Sequence, residues 1–265
     1  MTLETKITRG KTQPERLALL DRYLVQREWQ LIERAEGPAV DVGFGEFAYT
    51  TAEMARRFRE LDADLEVVGV EADEHRVARA AQAYPDIAFA TGGFPLIDHL
   101  ARPARLVRAM NVLREYHPSK ALDAYADWGR ALVDGGLLVV GTSDKIGDVM
   151  TAMLLRKDGD TLERESLLYL TTLEHGFGPW MFRDWLPRDL RRAVGEGDAV
   201  YSFFEAWAAA FQEARDAGHQ APKTLFCDAG ERLVRGRADV DWGWVCGGAF
   251  LKWAPTGGVP VLSQA

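Results

Sequence analysis

The stretch AVDVGFGEFAYTTAEMARRF, residues 39–58, decides how the chain is read. An apolar run ends in an acid, Asp41; two glycines follow, Gly43 and Gly45; then a helix begins. Glycine lets a backbone turn tightly and lets a ligand approach where a Cβ would stand. The helix N-terminus beyond the turn offers unpaired N–H groups. Strand, glycine turn and helix in that order predict a nucleotide-like ligand at the end of a buried strand.

Working outward, apolar strands alternate with helical patterns. LEVVGVEAD (65–73) reads as a second strand, with Asp73 able to cap the next helix; IAFATGG (87–93) is a third, ARLVRAMNVL (104–113) a less apolar fourth and GGLLVVGTSD (135–144) a fifth. Thr50 with Glu53 suggests a capping box after the glycine turn, and Thr12 with Glu15 another at the start of a helix over 12–36. Ser119 opens a helix whose apolar face would carry Leu122, Tyr125, Ala126 and Leu132. Such strands joined by helical crossovers imply an α/β fold, a parallel sheet with helices on both faces.

After residue 145 the rhythm changes. Asp158-Gly159 between apolar runs signals a hairpin, although Ile146, Val149, Met150 and Met153 also fit a helix. Residues 175–192 are rich in aromatics and glycine and read as a lid or substrate wall. Phe204, Trp207, Ala208 and Phe211 mark a helix, 231–253 reads as two strands turning near Asp239–Gly243, and the tail from Pro255 is expected to be loose. The expected organisation is an N-terminal helical segment (1–37), a ligand-binding core (38–145), an α+β insertion and acceptor-side lid (146–202), and a C-terminal helix with the last strands (203–255).

The chain has 265 residues, 47% of them hydrophobic and 27% charged, with a formal net charge of −8. That is enough for a full core, and the charge disfavours a protein built to neutralise a phosphate backbone. Lys6, Arg9, Lys11 and Arg16 could still form a local basic patch, so nucleic acid stays open as a partner. Cys227 and Cys246 are too far apart for a CxxC pair and suit buried thiols in a reducing compartment. No run of about 18 apolar residues spans a membrane, and the first residues lack an apolar signal region. A cytoplasmic protein is the expectation, with its oligomeric state open.

Two ligand classes use such a turn. Gly43, Gly45 and Ala48 satisfy the dinucleotide pattern G-x-G-x-x-[GA], with Glu71 as the acid ending strand two. The spacing acid-x-Gly-x-Gly, from Asp41, suits S-adenosylmethionine (SAM), whose ammonium and sulfonium favour a nearby carboxylate that a diphosphate would repel. Glu46 points the same way. A carboxylate at Glu71 can accept both hydroxyls of a ribose in either case.

The run VDVGFGEF, then VVGVEAD, RLVRAMNVLREY and LVDGGLLVVGTSD, resembles the class I (Rossmann-like) SAM-dependent methyltransferases over residues 39–144; TRGKTQPERLALLDRYL before it is similar to a group of bacterial proteins known only as methylases. The resemblance implies a seven-stranded, mostly parallel sheet with an antiparallel last strand, supplied here by WGWVCGGAFLKW. It implies that Asp41, Gly43, Gly45 and Glu46 hold the methionine part of SAM, Glu71 the ribose, and Ala72 and Gly93 the adenine, with Asn111 facing the reacting methyl. Where the family often has an acid after strand three, this chain has Gly92, Gly93 and Phe94. The fourth strand carries Asn111 without the proline pair of base and glutamine methylases, so a small molecule is favoured as the unidentified acceptor. His117 could take a proton from it, and His175, Trp180 and Trp185 could line its pocket. No metal is expected: Asp144 and Asp148 read as loop and capping acids. The competing readings are an NAD(P)-dependent oxidoreductase and a non-catalytic SAM-binding module.

Overall fold

A computed structural model describes residues 3–5, 12–191 and 193–261; Lys6, Arg9 and Lys11 of the expected basic patch lie outside these. The order of elements is α1 (Ala18–Arg27), α2 (Trp29–Arg34), β1 (Ala39–Val42), α3 (Tyr49–Phe58), β2 (Val67–Glu71), α4 (Glu74–Ala83), β3 (Ala88–Thr91), β4 (Ala104–Met110), α5 (Ala121–Arg130), β5 (Leu132–Ser143), β6 (Val149–Asp158), β7 (Thr161–Thr171), α6 (Ala199–Asp216), α7 (Pro222–Leu233), β8 (Val240–Val245) and β9 (Gly248–Trp253). One sheet holds all nine strands in the order β3-β2-β1-β4-β5-β6-β7-β9-β8. The order over β1–β5 is doubly wound, and the chain reverses direction along the sheet between β1 and β4.

The expectation of seven, mostly parallel strands is corrected. Four strand pairs are parallel, from β3 to β5, and four are antiparallel, from β5 to β8. The neighbour of β5 is β6, not the last strand: β9 pairs with β7 and β8. Asp158 and Gly159 do turn a hairpin, between β6 and β7, so 149–171 runs within the sheet. The last hairpin turns at Cys246-Gly247, because α7 occupies 222–233. Val259 is buried and donates its N–H to the Arg164 carbonyl at 2.7 Å, so the tail is docked to that point.

Alternation along the parallel strands explains the two cores. Val40, Val68, Val70, Val107, Leu138 and Val140 face α5, α6 and α7 in one cluster. Ala39, Val67, Leu106, Met110, Leu137 and Val139 face α1, α2 and α3 in the other. Helices therefore cover both faces, as expected. Of the residues expected on the inner face of α5, Tyr125 is buried while Leu122 and Ala126 are exposed; Ala121, Ala124 and Trp128 complete the buried face.

By the same alternation Asp41 and Arg108 face α1 and α3, and they are register partners across β1 and β4. Arg108 is 0% exposed. Its Nε donates to Asp41 Oδ1 at 2.9 Å, its Nη2 to the Thr50 carbonyl at 2.9 Å, and its Nη1 to Asp21 of α1. Burial alone would lower the Arg108 pKa, but Asp21 and Asp41 outweigh it and hold the guanidinium charged. Asp21 also accepts from Arg57 Nη1 at 3.3 Å, and Arg57 reaches Glu15. The two expected capping boxes dissolve into this network. Thr50 Oγ1 and Thr51 Oγ1 donate to Asp41 Oδ2 at 3.1 and 2.8 Å. Glu53 Oε1 accepts the N–H of Glu15, whose φ is 60°, and helix α1 starts only at Ala18.

Arg108→Leu would strand two buried carboxylates, so it is expected to destabilise the fold by about 3–5 kcal/mol. The double change Arg108→Leu with Asp21→Asn should lose less than Arg108→Leu alone. Urea unfolding of the two variants checks this; equal midpoints for Arg108→Leu and the unchanged chain would show that the pair carries no stability.

Candidate functional site

The glycine turn leaves β1 at the carboxyl edge of the sheet, beside the reversal point between β1 and β4. Gly43 has φ 73° and Gly45 φ 86°, conformations that favour glycine. A Cβ on Gly43 would stand 2.7 Å from Val112 Cγ2, so the turn also lies tight against the loop after β4. Between them Phe44 is buried against Phe89, ring centroids 5.3 Å apart, and fixes the turn to β2 and β3.

Glu71, at the end of β2, is 1% exposed and holds this turn. Its Oε2 accepts the Gly45 N–H at 2.9 Å and its Oε1 the Ala72 N–H at 3.0 Å. Arg76 stands 3.5 Å from Oε1. Asp73 caps α4 by accepting the N–H groups of His75 and Arg76, which with the bond to Arg76 first among the causes holds its carboxyl below the usual range. The crevice is lined by Gly43, Glu71, Ala72 and Gly93 together with Val42, Val70, Gly92, Phe94, Val112, Tyr116, Trp128 and Thr5. Phe94 stacks on Trp128 at 5.5 Å and meets Tyr116 edge-on at 5.9 Å. Glu71 is the one charged side chain in this lining among the described residues.

The other predicted site residues go elsewhere. Asp41, 2% exposed, has both oxygens committed to Arg108, Thr50 and Thr51 beneath the turn. Glu46 turns outward to Arg79 of α4, 3.8 Å away. Asn111 takes a left-handed φ of 63° at the end of β4 and joins that strand to β5: its Nδ2 donates to Ser143 Oγ at 3.0 Å and its Oδ1 accepts the Ser143 N–H at 3.0 Å. His117 is exposed, and its Nδ1 faces Ser119 Oγ at 2.9 Å and caps a short helical turn.

A second cluster on the same edge joins residues that the sequence placed in separate roles: Arg16, Asp144, Asp148 and His175. Arg16 Nε donates to Ser143 Oγ at 3.1 Å and to the Asp144 carbonyl at 2.9 Å. Burial and the nearby Arg114 lower its pKa, opposed by Asp144. Asp144 Oδ1 accepts the N–H groups of Gly147 and Asp148 at 2.6 and 2.9 Å. Asp148 is buried, accepts from Thr172 Oγ1, and holds His175 Nδ1 at 2.9 Å; the His175 side chain is 63% exposed. The signal was the histidine just past a strand whose end lies beside Asp148, but only the β5–β6–β7 pairing brings them together. Trp180 and Trp185 part company: Trp180 stacks on Phe204 at 5.2 Å, and Trp185 lies beneath Arg114 at 5.6 Å. Among the described residues no three of His, Cys, Asp and Glu are grouped to hold a metal ion, and no helix is long and apolar enough to cross a membrane.

No family profile matches the sequence, and no curated protein does. Similar solved structures were found. The three that follow are methyltransferases. A sarcosine dimethylglycine methyltransferase from Galdieria sulphuraria is 11% identical, with 94% of this chain and 92% of that one covered and a TM-score of 0.40. The CcbJ methyltransferase from Streptomyces caelestis is 18% identical, covering 60% and 66%, TM-score 0.37. A protein-L-isoaspartate O-methyltransferase from Plasmodium falciparum, in complex with S-adenosyl-L-homocysteine, is 12% identical, covering 53% and 66%, TM-score 0.36. Of the last two the chain spans just under two thirds of the length.

Glu71→Gln would leave one of the two backbone donors facing an amide NH2. The expected cost is roughly 1–3 kcal/mol, with faster hydrogen exchange at the Gly45 amide in NMR spectra. Unchanged exchange there would show that the carboxylate does not hold the turn.

Proposed function

We propose that the chain is a SAM-dependent methyltransferase, with a small molecule as its acceptor. One observation carries this reading: among the described residues, the crevice at the sheet's reversal point has Glu71 as its sole charged lining group, set among glycine backbone and aromatic rings. A carboxylate there suits a ribose diol: Oε2 accepts the Gly45 N–H and keeps a lone pair for a hydroxyl, while Oε1 accepts from Ala72 and Arg76. Phe94, Tyr116 and Trp128 give an aromatic wall for adenine. Among the described residues the lining offers no lysine or arginine to a diphosphate, which weighs against a dinucleotide. Asp41 supports the ligand from beneath, by fixing the turn, rather than by meeting an ammonium.

SAM would bring the reactive group, a methyl on a sulfonium, and the chain would align it with the acceptor and keep water away. Gly43, Gly45 and Glu71 would hold the nucleoside end, with Ala72 and Gly93 beside the base. Asn111, braced by Ser143, would border the methyl. Of the two histidines, His175 is the better base: its Nδ1 faces the buried Asp148 carboxylate, which would orient the ring and stabilise the imidazolium, whereas Nδ1 of His117 faces the Ser119 hydroxyl.

Isothermal calorimetry with SAM, S-adenosylhomocysteine and NAD tests the reading. Saturable heat with the first two and none with NAD is expected; heat with NAD alone would replace the methyltransferase with an oxidoreductase.

A further inference from the structure

The crevice that fits a nucleoside in chemistry does not fit it in volume. Its free space is about 20 Å³, whereas ligand pockets run to roughly 300–1,000 Å³. The chain's own N-terminal segment takes the room. Thr5 is part of the lining, and its Oγ1 accepts the Phe94 N–H at 3.1 Å. A Cβ built on Gly93 would stand 2.6 Å from Thr5 Cγ2 and 3.3 Å from Thr5 Cβ, so the threonine rests directly on the glycine assigned to the base. Leu3 packs against the core cluster that holds Phe94, Tyr116 and Trp128.

The same end of the chain docks again farther along the carboxyl edge. Arg16 binds Ser143 and Asp144 after β5, and a Cβ on Gly147 would stand 2.1 Å from the Arg16 carbonyl oxygen. The two contacts fall on opposite sides of the crevice, one after β3 and one after β5. Among the described residues the outer hold is slight: one hydrogen bond and a partly buried leucine. The Arg16 hold is heavier, with several bonds and a close backbone approach.

We propose that residues 3–5 are a strap that closes the nucleoside crevice in the free protein and must leave it before SAM or S-adenosylhomocysteine binds. The proposal rests on the methyltransferase reading. The strap and the adenosine end of the ligand compete for one space, and the crevice's apparent affinity is its intrinsic affinity scaled by the open fraction. Anchorage at Arg16 keeps the strap tethered beside the site, so it can return when product leaves.

The 3.3 Å separation between the ideal Gly93 Cβ and Thr5 Cβ is close to the ~3.8 Å of disulfides, which allows the strap to be locked. Thr5→Cys with Gly93→Cys would be made in a Cys246→Ser background, since Cys246 is exposed, and titrated calorimetrically with S-adenosylhomocysteine. Oxidation should weaken binding by at least about tenfold, and dithiothreitol should restore it. Thr5→Ala, which only removes the bond to Phe94, should tighten binding by up to about fivefold with an unchanged melting temperature. Equal affinity in the oxidised and reduced forms would overturn the strap and leave the ligand assignment standing. No heat from the unaltered protein with either SAM or S-adenosylhomocysteine would remove the methyltransferase reading, and the strap with it.

Discussion

A single buried guanidinium organises the end of the sheet where the crevice forms. Arg108 spans the seam between β1 and β4, where the strand order reverses, and binds an acid on each side of that seam's inner face: Asp41 on β1 and Asp21 on α1. Removing such a charge from water is expensive, and the interior returns that cost only when its nitrogens have partners. Here each of the three nitrogens has a partner, three of the five N–H donors in all. A shift of β1 against β4 by one residue would turn Asp41 to the other face of the sheet. The pair therefore selects one register, and through it the place where β1 ends. Asp41 stands two residues before Gly43, so whatever fixes its carboxylate fixes the start of the glycine turn. Thr50 and Thr51 bind the same carboxylate from the first turn of α3, which sets the other end of the loop. Strand, turn and helix are thus referenced to one charge.

The second half of the sheet changes what its carboxyl edge can carry. A parallel neighbour for β5 would need a crossover helix and would contribute only its own carboxyl end. The chain instead folds straight back as β6 and again as β7. That brings the start of β6 and the end of β7 to the edge where β4 and β5 finish. Asn111, Ser143, Asp144, Asp148 and His175 then follow in one connected series, with Arg16 laid across it. The aromatic cluster of Tyr169, Phe182, Phe203, Phe204 and Trp207 packs beneath, on the α6 side, and supports this antiparallel half. The glycine-turn crevice on the parallel half and an oriented histidine on the antiparallel half are thereby placed on a common edge.

What the sequence made legible follows from periodicity. The five parallel strands, the helices between them and the Asp158-Gly159 hairpin all rest on local pattern, and all are present. The sheet's antiparallel half was misread because pairing partners far apart in sequence leave no local trace: WGWVCGGAFLKW looks the same beside β5 as beside β7. The ionic network was written in the chain but needed two faces to be compared. Asp21 falls on the helical stripe of Leu17, Leu20 and Leu24, and Arg108 alternates with Leu106 and Met110, so both charges occupy positions meant for core. Either alone looks like a solvated charge, and only the pairing of β1 with β4 explains both. The crevice was legible in Gly43, Glu71, Ala72 and Gly93. Thr5 was not, because a residue in an arm without periodic pattern is placed by tertiary contact alone.

The spacing of an acid ahead of two glycines locates three backbone positions; it does not say which way the carboxylate points. In a strand that direction is set by parity. Val40 and Val42 share the face of the sheet that borders α5, and Val42 lines the crevice. Asp41, between them, must look toward α1 and α3, where Arg108 already waits. The electrostatic case for a cationic ligand therefore cannot rest on Asp41, whose charge is neutralised inside the protein, nor on Glu46, which faces Arg79. The acid that lines the crevice is Glu71, at a strand tip, where parity gives way to the turn and the side chain reaches both Gly45 and the crevice; its role there is to accept hydrogen bonds, since Arg76 stands beside its charge. Ligand selectivity at such a turn is then governed by the acid that is free to touch the ligand, while the acid that completes the motif serves to build the ground on which the ligand sits.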